Sequence, residues 1–267
     1  MKPTRISRLF DCLRKEQKTG LVAYLTAGDP TPEATPRLVA ALERGGADLI
    51  ELGVPFSDPI ADGPVIQRAA ERALRAGTTL RGVLDIAAGI RRHSQIPLVL
   101  FTYLNPVLRY GFEALARDAV ERGIDGCLLT DLSVEEAEQY VDSMRGHGLD
   151  TVFLAAPTST PQRLDLVGKY STGFVYLVSR TGVTGERDSL SASIDPLVQA
   201  TRRVTNLPLA VGFGISRREH TAALRGKTEA VVVGSAIVRL IEEHGGSPDL
   251  EARLEAFVRD LKQGLES

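Results

Sequence analysis

The chain has 267 residues, 43% hydrophobic and 25% charged, proportions that belong to a globular protein of one large domain or two ordinary ones. Its formal net charge of −2, with arginine spread along the chain, excludes nucleic acid or an anionic membrane surface as the electrostatically recruited main partner. The two cysteines, Cys12 and Cys127, lack metal-ligand spacing and no apolar run approaches the roughly 18 residues of a membrane span, so a soluble, reduced, cytoplasmic protein is expected.

Residues 6–16, ISRLFDCLRKE, read as an amphipathic helix ahead of everything else. Eight short apolar runs follow: 21–26 (LVAYLT), 48–52 (DLIEL), 98–102 (LVLFT), 126–130 (GCLLT), 151–155 (TVFLA), 174–178 (FVYLV), 209–212 (LAVG) and 230–233 (AVVV). Each is nearly continuous in apolar residues, as parallel strands covered on both faces require. Helical patterns separate them, among them 32–44, 111–122, 134–146 and 216–225, several ending in glycine before the next run. Eight β/α units without a linker or composition break predict one (β/α)₈ TIM barrel domain over 1–267. It carries an N-terminal helical extension (1–18) and an enlarged loop after the second strand. An open doubly wound sheet is the alternative. Its GxGxxG turn after the first strand is missing, because that turn reads Ala27-Gly28-Asp29-Pro30.

Barrel chemistry sits at the C-terminal ends of strands and in the loops after them. None of the four histidines (His93, His147, His220, His244) falls there, which argues against a histidine metal site at the rim. None of the six lysines falls there either, so no Schiff-base nucleophile has a candidate, and no Ser-His-Asp or Cys-His set can be assembled. What the rim holds is carboxylates, tyrosines, hydroxyls and glycines. GFGIS (212–216) and VGSAI (233–237) place small residues between a strand and a helix start, and TGVTGE (181–186) follows the sixth strand. Backbone N–H groups in such turns, with a helix N-terminus behind them, are suited to a phosphate; taken singly, each is equally a simple turn. Glu51 ends an apolar run, where desolvation raises a carboxyl pKa, and Asp62 lies on the polar loop beyond it, where it is expected to stay ionised. General acid–base work by this pair on a phosphorylated substrate is one reading; a strand-end cap and an Asx turn are the other. Tyr24 and Tyr176 are pocket or core aromatics.

The motifs in sequence are LTAGDP (25–30), ELGVPFSDPIADGPVIQ (51–67), YLNPV (103–107), SRTGVTG (179–185), VGFGIS (211–216) and VGSAIV (233–238). Together, in order and across the whole length, they resemble the tryptophan synthase alpha chain family. The resemblance implies a cofactor-free retro-aldol cleavage of indole-3-glycerol phosphate to indole and glyceraldehyde 3-phosphate. Glu51 matches the family's catalytic glutamate and Asp62 its catalytic aspartate. Tyr24, Tyr176 and Phe213 match pocket residues, and Thr184, Gly185, Gly214, Gly234 and Ser235 match the substrate and phosphate positions. The implied partner is a beta chain, the one carrying pyridoxal phosphate (PLP), in an α2β2 heterotetramer. Pro55, Asp58, Asn105 and Asp131 match segments that meet it. A stand-alone lyase and a non-catalytic activator of a beta chain are the other readings, the second disfavoured by the presence of both acids. Ser133 stands where the family commonly has proline, and Tyr24 where many relatives have phenylalanine.

Overall fold

Eight strands pair in parallel, each with its successor in the chain, and the last pairs with the first to close a barrel. The computed structural model describes residues 3–178, 187–212 and 214–266, with backbone only over 187–193. In chain order the described elements are α1 (Arg5–Lys15), β1 (Gly20–Thr26), α2 (Thr35–Arg44), β2 (Leu49–Gly53), α3 (Pro64–Arg75), α4 (Leu80–Arg91) and β3 (Leu98–Thr102). Then come α5 (Leu104–Tyr110), α6 (Phe112–Glu121), β4 (Gly126–Leu129), a 3₁₀ turn (Val134–Glu136), α7 (Glu138–Gly146), β5 (Asp150–Ala155), α8 (Pro161–Tyr170) and β6 (Val175–Val178). The chain finishes with α9 (Arg187–Arg202), β7 (Leu209–Gly212), α10 (Arg218–Leu224), β8 (Ala230–Val233), α11 (Ser235–His244) and α12 (Leu250–Glu266).

All eight expected strands are present, shifted by a residue or two at most. The helices depart further. Residues 104–106 of the YLNPV motif open α5, whose first turn tolerates Pro106 because its missing N–H has no intrahelical partner there. The 134–146 pattern divides at Ala137 into the 3₁₀ turn and α7. Beyond the enlarged loop after β2 lie two helices, α3 and α4, where most units have one.

The strands sort their side chains by alternation. Ala23, Leu25, Ile50, Leu52, Leu98 and Leu100 pack outward against the helices in the large core. Val22, Leu49, Val99, Leu128, Val152, Ala210, Ala230 and Val232 fill the barrel interior. That interior would be open at the N-terminal ends of the strands. It is plugged by α1, whose Ile6, Phe10 and Leu13 recur at helical spacing and are buried against the same interior set. Phe10 meets Phe174 with ring centroids 5.7 Å apart. Thr4 caps the helix, its hydroxyl oxygen accepting from the Ser7 N–H at 3.1 Å. Plugging one end leaves the barrel interior accessible from the other, the C-terminal rim.

Candidate active site

Alternation along β2 turns Leu49, Glu51 and Gly53 inward. Glu51 therefore does not sit on the rim but one layer below it, level with Tyr24 on β1 and Val99 on β3. It is 1% exposed, and its Oε1 has no hydrogen-bond partner. Burial pushes its carboxyl up to about 8, so it is a neutral acid at pH 7. Two phenols flank the position. Tyr24 and Tyr176 are both pushed above the ordinary phenol range, by burial first and then by nearby acids that include Glu51. Room for them comes from two inward glycines. A Cβ on Gly53 would stand 2.2 Å from the Tyr24 Oη, and one on Gly212 would stand 2.3 Å from the Tyr176 Oη.

Asp62 comes back over the same space from the loop after β2. The Tyr103 hydroxyl donates to its Oδ2 at 2.9 Å and itself accepts from the Ala61 N–H at 3.0 Å. Gln67 donates to the Asp62 carbonyl at 2.8 Å, and Phe56 packs on the Tyr103 ring at 5.2 Å. From the sequence, Asp62 is an ionised residue on a solvated loop. In the fold it is half-buried, and burial pushes its carboxyl up to about 6 despite the opposing Tyr103 hydrogen bond. It is still mostly ionised at pH 7, by a narrower margin. The helix that follows is held by charge. Arg72 on α3 grips the buried Asp29 through two contacts of 2.8 Å and reaches Glu242 on α11, which Arg68 also holds. The acid-bearing loop and the helix across the barrel mouth are thereby tied together.

Glu51 and Asp62 line one cavity of about 600 Å³, within the range of small-molecule sites. Its walls include Tyr24, Phe101, Leu154, Tyr176 and Val178, a largely apolar slot, with Tyr24 edge-on to Phe101 at 5.1 Å. At the other end lie Gly214, Ser216, Gly234 and Ser235, and α11 starts at Ser235 with its free N–H groups toward that end. Gly214 adopts a left-handed φ of +70°, which a side chain would resist. Arg239, one turn into α11, lines the same end and brings an exposed positive charge.

The fold brings Glu51, Asp62, Tyr24, Tyr176, Gly214, Gly234 and Ser235 to one cavity. Thr184, Gly185 and Phe213 lie outside the described residues. Of the positions matched to partner contacts, Asp58, Asn105 and Asp131 are exposed on the loops above the rim, whereas Pro55 is buried and presents no surface. Asp131 also has a task within the chain, accepting from the Leu104 N–H at 2.7 Å at the start of α5. Sequence reasoning passed over Tyr103, Phe101, Leu154 and Arg239. Phe101 and Leu154 share the inward alternation of their strands and were legible by that period, but Tyr103 depends on where a distant loop folds back. No group of three or more His, Cys, Asp or Glu suited to a metal is present among the described residues.

A (β/α)₈ barrel with a neutral buried glutamic acid, a second carboxylate and a helix N-terminus around one cavity has the groups that acid–base chemistry on a phosphorylated small molecule requires. The comparisons with known proteins narrow this. The family model for the tryptophan synthase alpha chain matches residues 10–266. The chain is 71% identical over 262 residues to the tryptophan synthase alpha chain of Solibacter usitatus, covering 98% of each, and 48% identical to that of Geotalea uraniireducens, covering 99% and 98%. Its fold superposes on the tryptophan synthase alpha subunit from Legionella pneumophila with a TM-score of 0.91 at 35% identity, covering 99% of both chains. It superposes on tryptophan synthase from Mycobacterium tuberculosis in an aminoacrylate-bound form with a TM-score of 0.88 at 36% identity, covering 98% and 100%. The chain belongs to the tryptophan synthase alpha chain family.

Proposed function

We propose that Glu51 and Asp62 carry the lyase reaction of this family, the retro-aldol cleavage of indole-3-glycerol phosphate to indole and glyceraldehyde 3-phosphate. The observation behind it is the neutral, unpartnered Glu51 carboxyl buried in the same cavity as an ionised Asp62.

Protonated Glu51 delivers its proton to C3 of the indole ring. Positive charge then builds on the ring N–H, where the Asp62 carboxylate accepts that hydrogen bond and stabilises the charge. The bond between C3 and the glycerol carbon breaks, and its electron pair restores the aromatic C2–C3 double bond. The hydroxyl on that carbon loses its proton to the Glu51 carboxylate, which leaves an aldehyde and a protonated glutamic acid ready for the next turnover. Tyr103 positions Asp62 by its 2.9 Å hydrogen bond and supports its ionised form. The apolar slot of Tyr24, Phe101, Leu154 and Tyr176 takes the ring, and the amides at Gly214, Gly234 and Ser235, with Arg239, take the phosphate.

No cofactor enters these steps; in the proposed α2β2 assembly PLP belongs to the beta chain. Asp58, Asn105 and Asp131 form the face toward that partner, with the strongly exposed Ile60 and Leu108 as apolar contact area and Pro55 as support beneath. No described helix is long and apolar enough to cross a membrane, and a cytoplasmic location fits the composition. The test is indole release from indole-3-glycerol phosphate by the purified chain, with and without a beta chain. Release is expected in both cases and faster with the partner. No release in either would overturn the proposal.

A further inference from the structure

A second concavity, of about 950 Å³, lies at the opposite end of the barrel from the active site. It is walled by the start of α1, the ends of α4, α6 and α7, and the turns leading into β4 and β5. Five arginines line it, against two carboxylates, Glu121 and Asp125, in a chain whose overall charge is slightly negative.

Three of those arginines are satisfied within the protein. Arg5 and Arg91 share the buried Asp125, at 3.0 and 2.8 Å, and Arg122 pairs with Asp85 at 2.8 Å. Arg8 and Arg145 are not. Arg8 is exposed on α1, with no ion pair or side-chain hydrogen bond among the described residues. Among the described residues Arg145, at the end of α7, donates only through Nη2, to the Lys169 carbonyl at 2.8 Å, and its buried Nε has no partner. Its charge reaches Asp150, but that carboxyl is engaged by the Thr4 hydroxyl at 2.5 Å, and burial pushes it above the ordinary carboxylate range. A buried guanidinium N–H without an acceptor is costly, and an ordered water or an anion is what satisfies such a group.

We propose that this concavity binds a small polyanion, with phosphate or carboxylate groups bridging the Arg8 and Arg145 guanidinia. Planar guanidinium forks match both kinds of group, and two forks on separate elements favour a ligand with two or more charged ends over a single anion. The bound ligand fastens the α1 plug to the α7–β5 turn, so it stabilises the fold from the end remote from the chemistry.

The experiment is calorimetric titration of the full chain with inorganic pyrophosphate in one arm and citrate in the other, at constant ionic strength, with glycerol 3-phosphate in excess to occupy the active-site phosphate end. Saturable binding in at least one arm is expected, with a rise in melting temperature, and the arm that binds tells phosphate from carboxylate chemistry. Arg8→Ala and Arg145→Gln should each weaken that binding about tenfold or more while leaving indole release without the polyanion unchanged. Arg8 is exposed, so its variant keeps the fold even if Arg145→Gln does not. Absence of saturable binding in both arms, or unchanged affinity in Arg8→Ala, would overturn the proposal.

Discussion

Replacing Glu51 by glutamine should make the protein inactive and, near neutral pH, more stable. The carboxyl titrates from an ordinary value of 4.5 up to about 8 in the fold because burial disfavours its charge. Below pH 4.5 both folded and unfolded states hold the proton, and the group has no effect on stability. Between 4.5 and about 8 the unfolded chain ionises while the folded one keeps its proton, so stability falls by about 1.4 kcal/mol per pH unit. By pH 7 this amounts to about 3 kcal/mol against folding. Glutamine cannot ionise and escapes it. Whatever offset the swap of OH for NH₂ introduces at low pH, the stability of Glu51→Gln relative to wild type should rise by about 2 kcal/mol between pH 5.5 and 7. Urea denaturation followed by circular dichroism at the two pH values measures this directly. Indole release by the same variant should drop about 10²–10⁴-fold, the usual contribution of a general acid–base group. Stability curves for the two proteins that run parallel from pH 5.5 to 7 would refute a neutral buried Glu51, and with it the reason for its acid role.

Four further outcomes are expected. The pH profile of kcat/KM should be bell-shaped, rising through about 6 as Asp62 ionises and falling through about 8 as Glu51 loses its proton; a single-limbed profile would separate one of them from the reaction. Tyr103→Phe removes the hydrogen bond that holds Asp62 down, so the acid limb should move to higher pH and the rate at pH 6 should suffer more than at pH 7.5, as steady-state rates at both would reveal. Gly53→Ala drives a methyl into the Tyr24 ring, 2.2 Å from its Oη and 2.6 Å from its Cζ, and should cost about 1–3 kcal/mol with a raised KM, read by thermal melting and kinetics. Phe10→Ala empties part of the plug and should cost about 3–5 kcal/mol in denaturant titration while leaving KM near the wild-type value, because the rim is at the other end.

Strand order and barrel closure were legible because parallel strands covered on both faces write themselves as unbroken apolar runs, and eight of them with helical spacers leave few topologies. The N-terminal plug was legible as an amphipathic helix, though nothing in its pattern said which surface it would cover. Helices α3 and α5 were not read from the sequence. Their first turns contain Pro64 and Pro106 beside loop-like residues, and local signals at a helix start and in a turn are much the same.

The residues Glu51 and Asp62 were singled out by residue type and position along the chain, and family resemblance turned that pair into an assignment. What the chain order by itself determined is which groups are available: carboxylates and glycines at strand ends, with lysine and histidine elsewhere. Only the tertiary structure decided their state. Closure of the barrel put Glu51 one layer below the rim with no partner and raised its carboxyl to about 8, and a loop folding back to Tyr103 half-buried Asp62 and brought it to about 6. Desolvation and hydrogen bonding act between residues far apart in the chain, so a pKa is a property of the packed site and not of the sequence position.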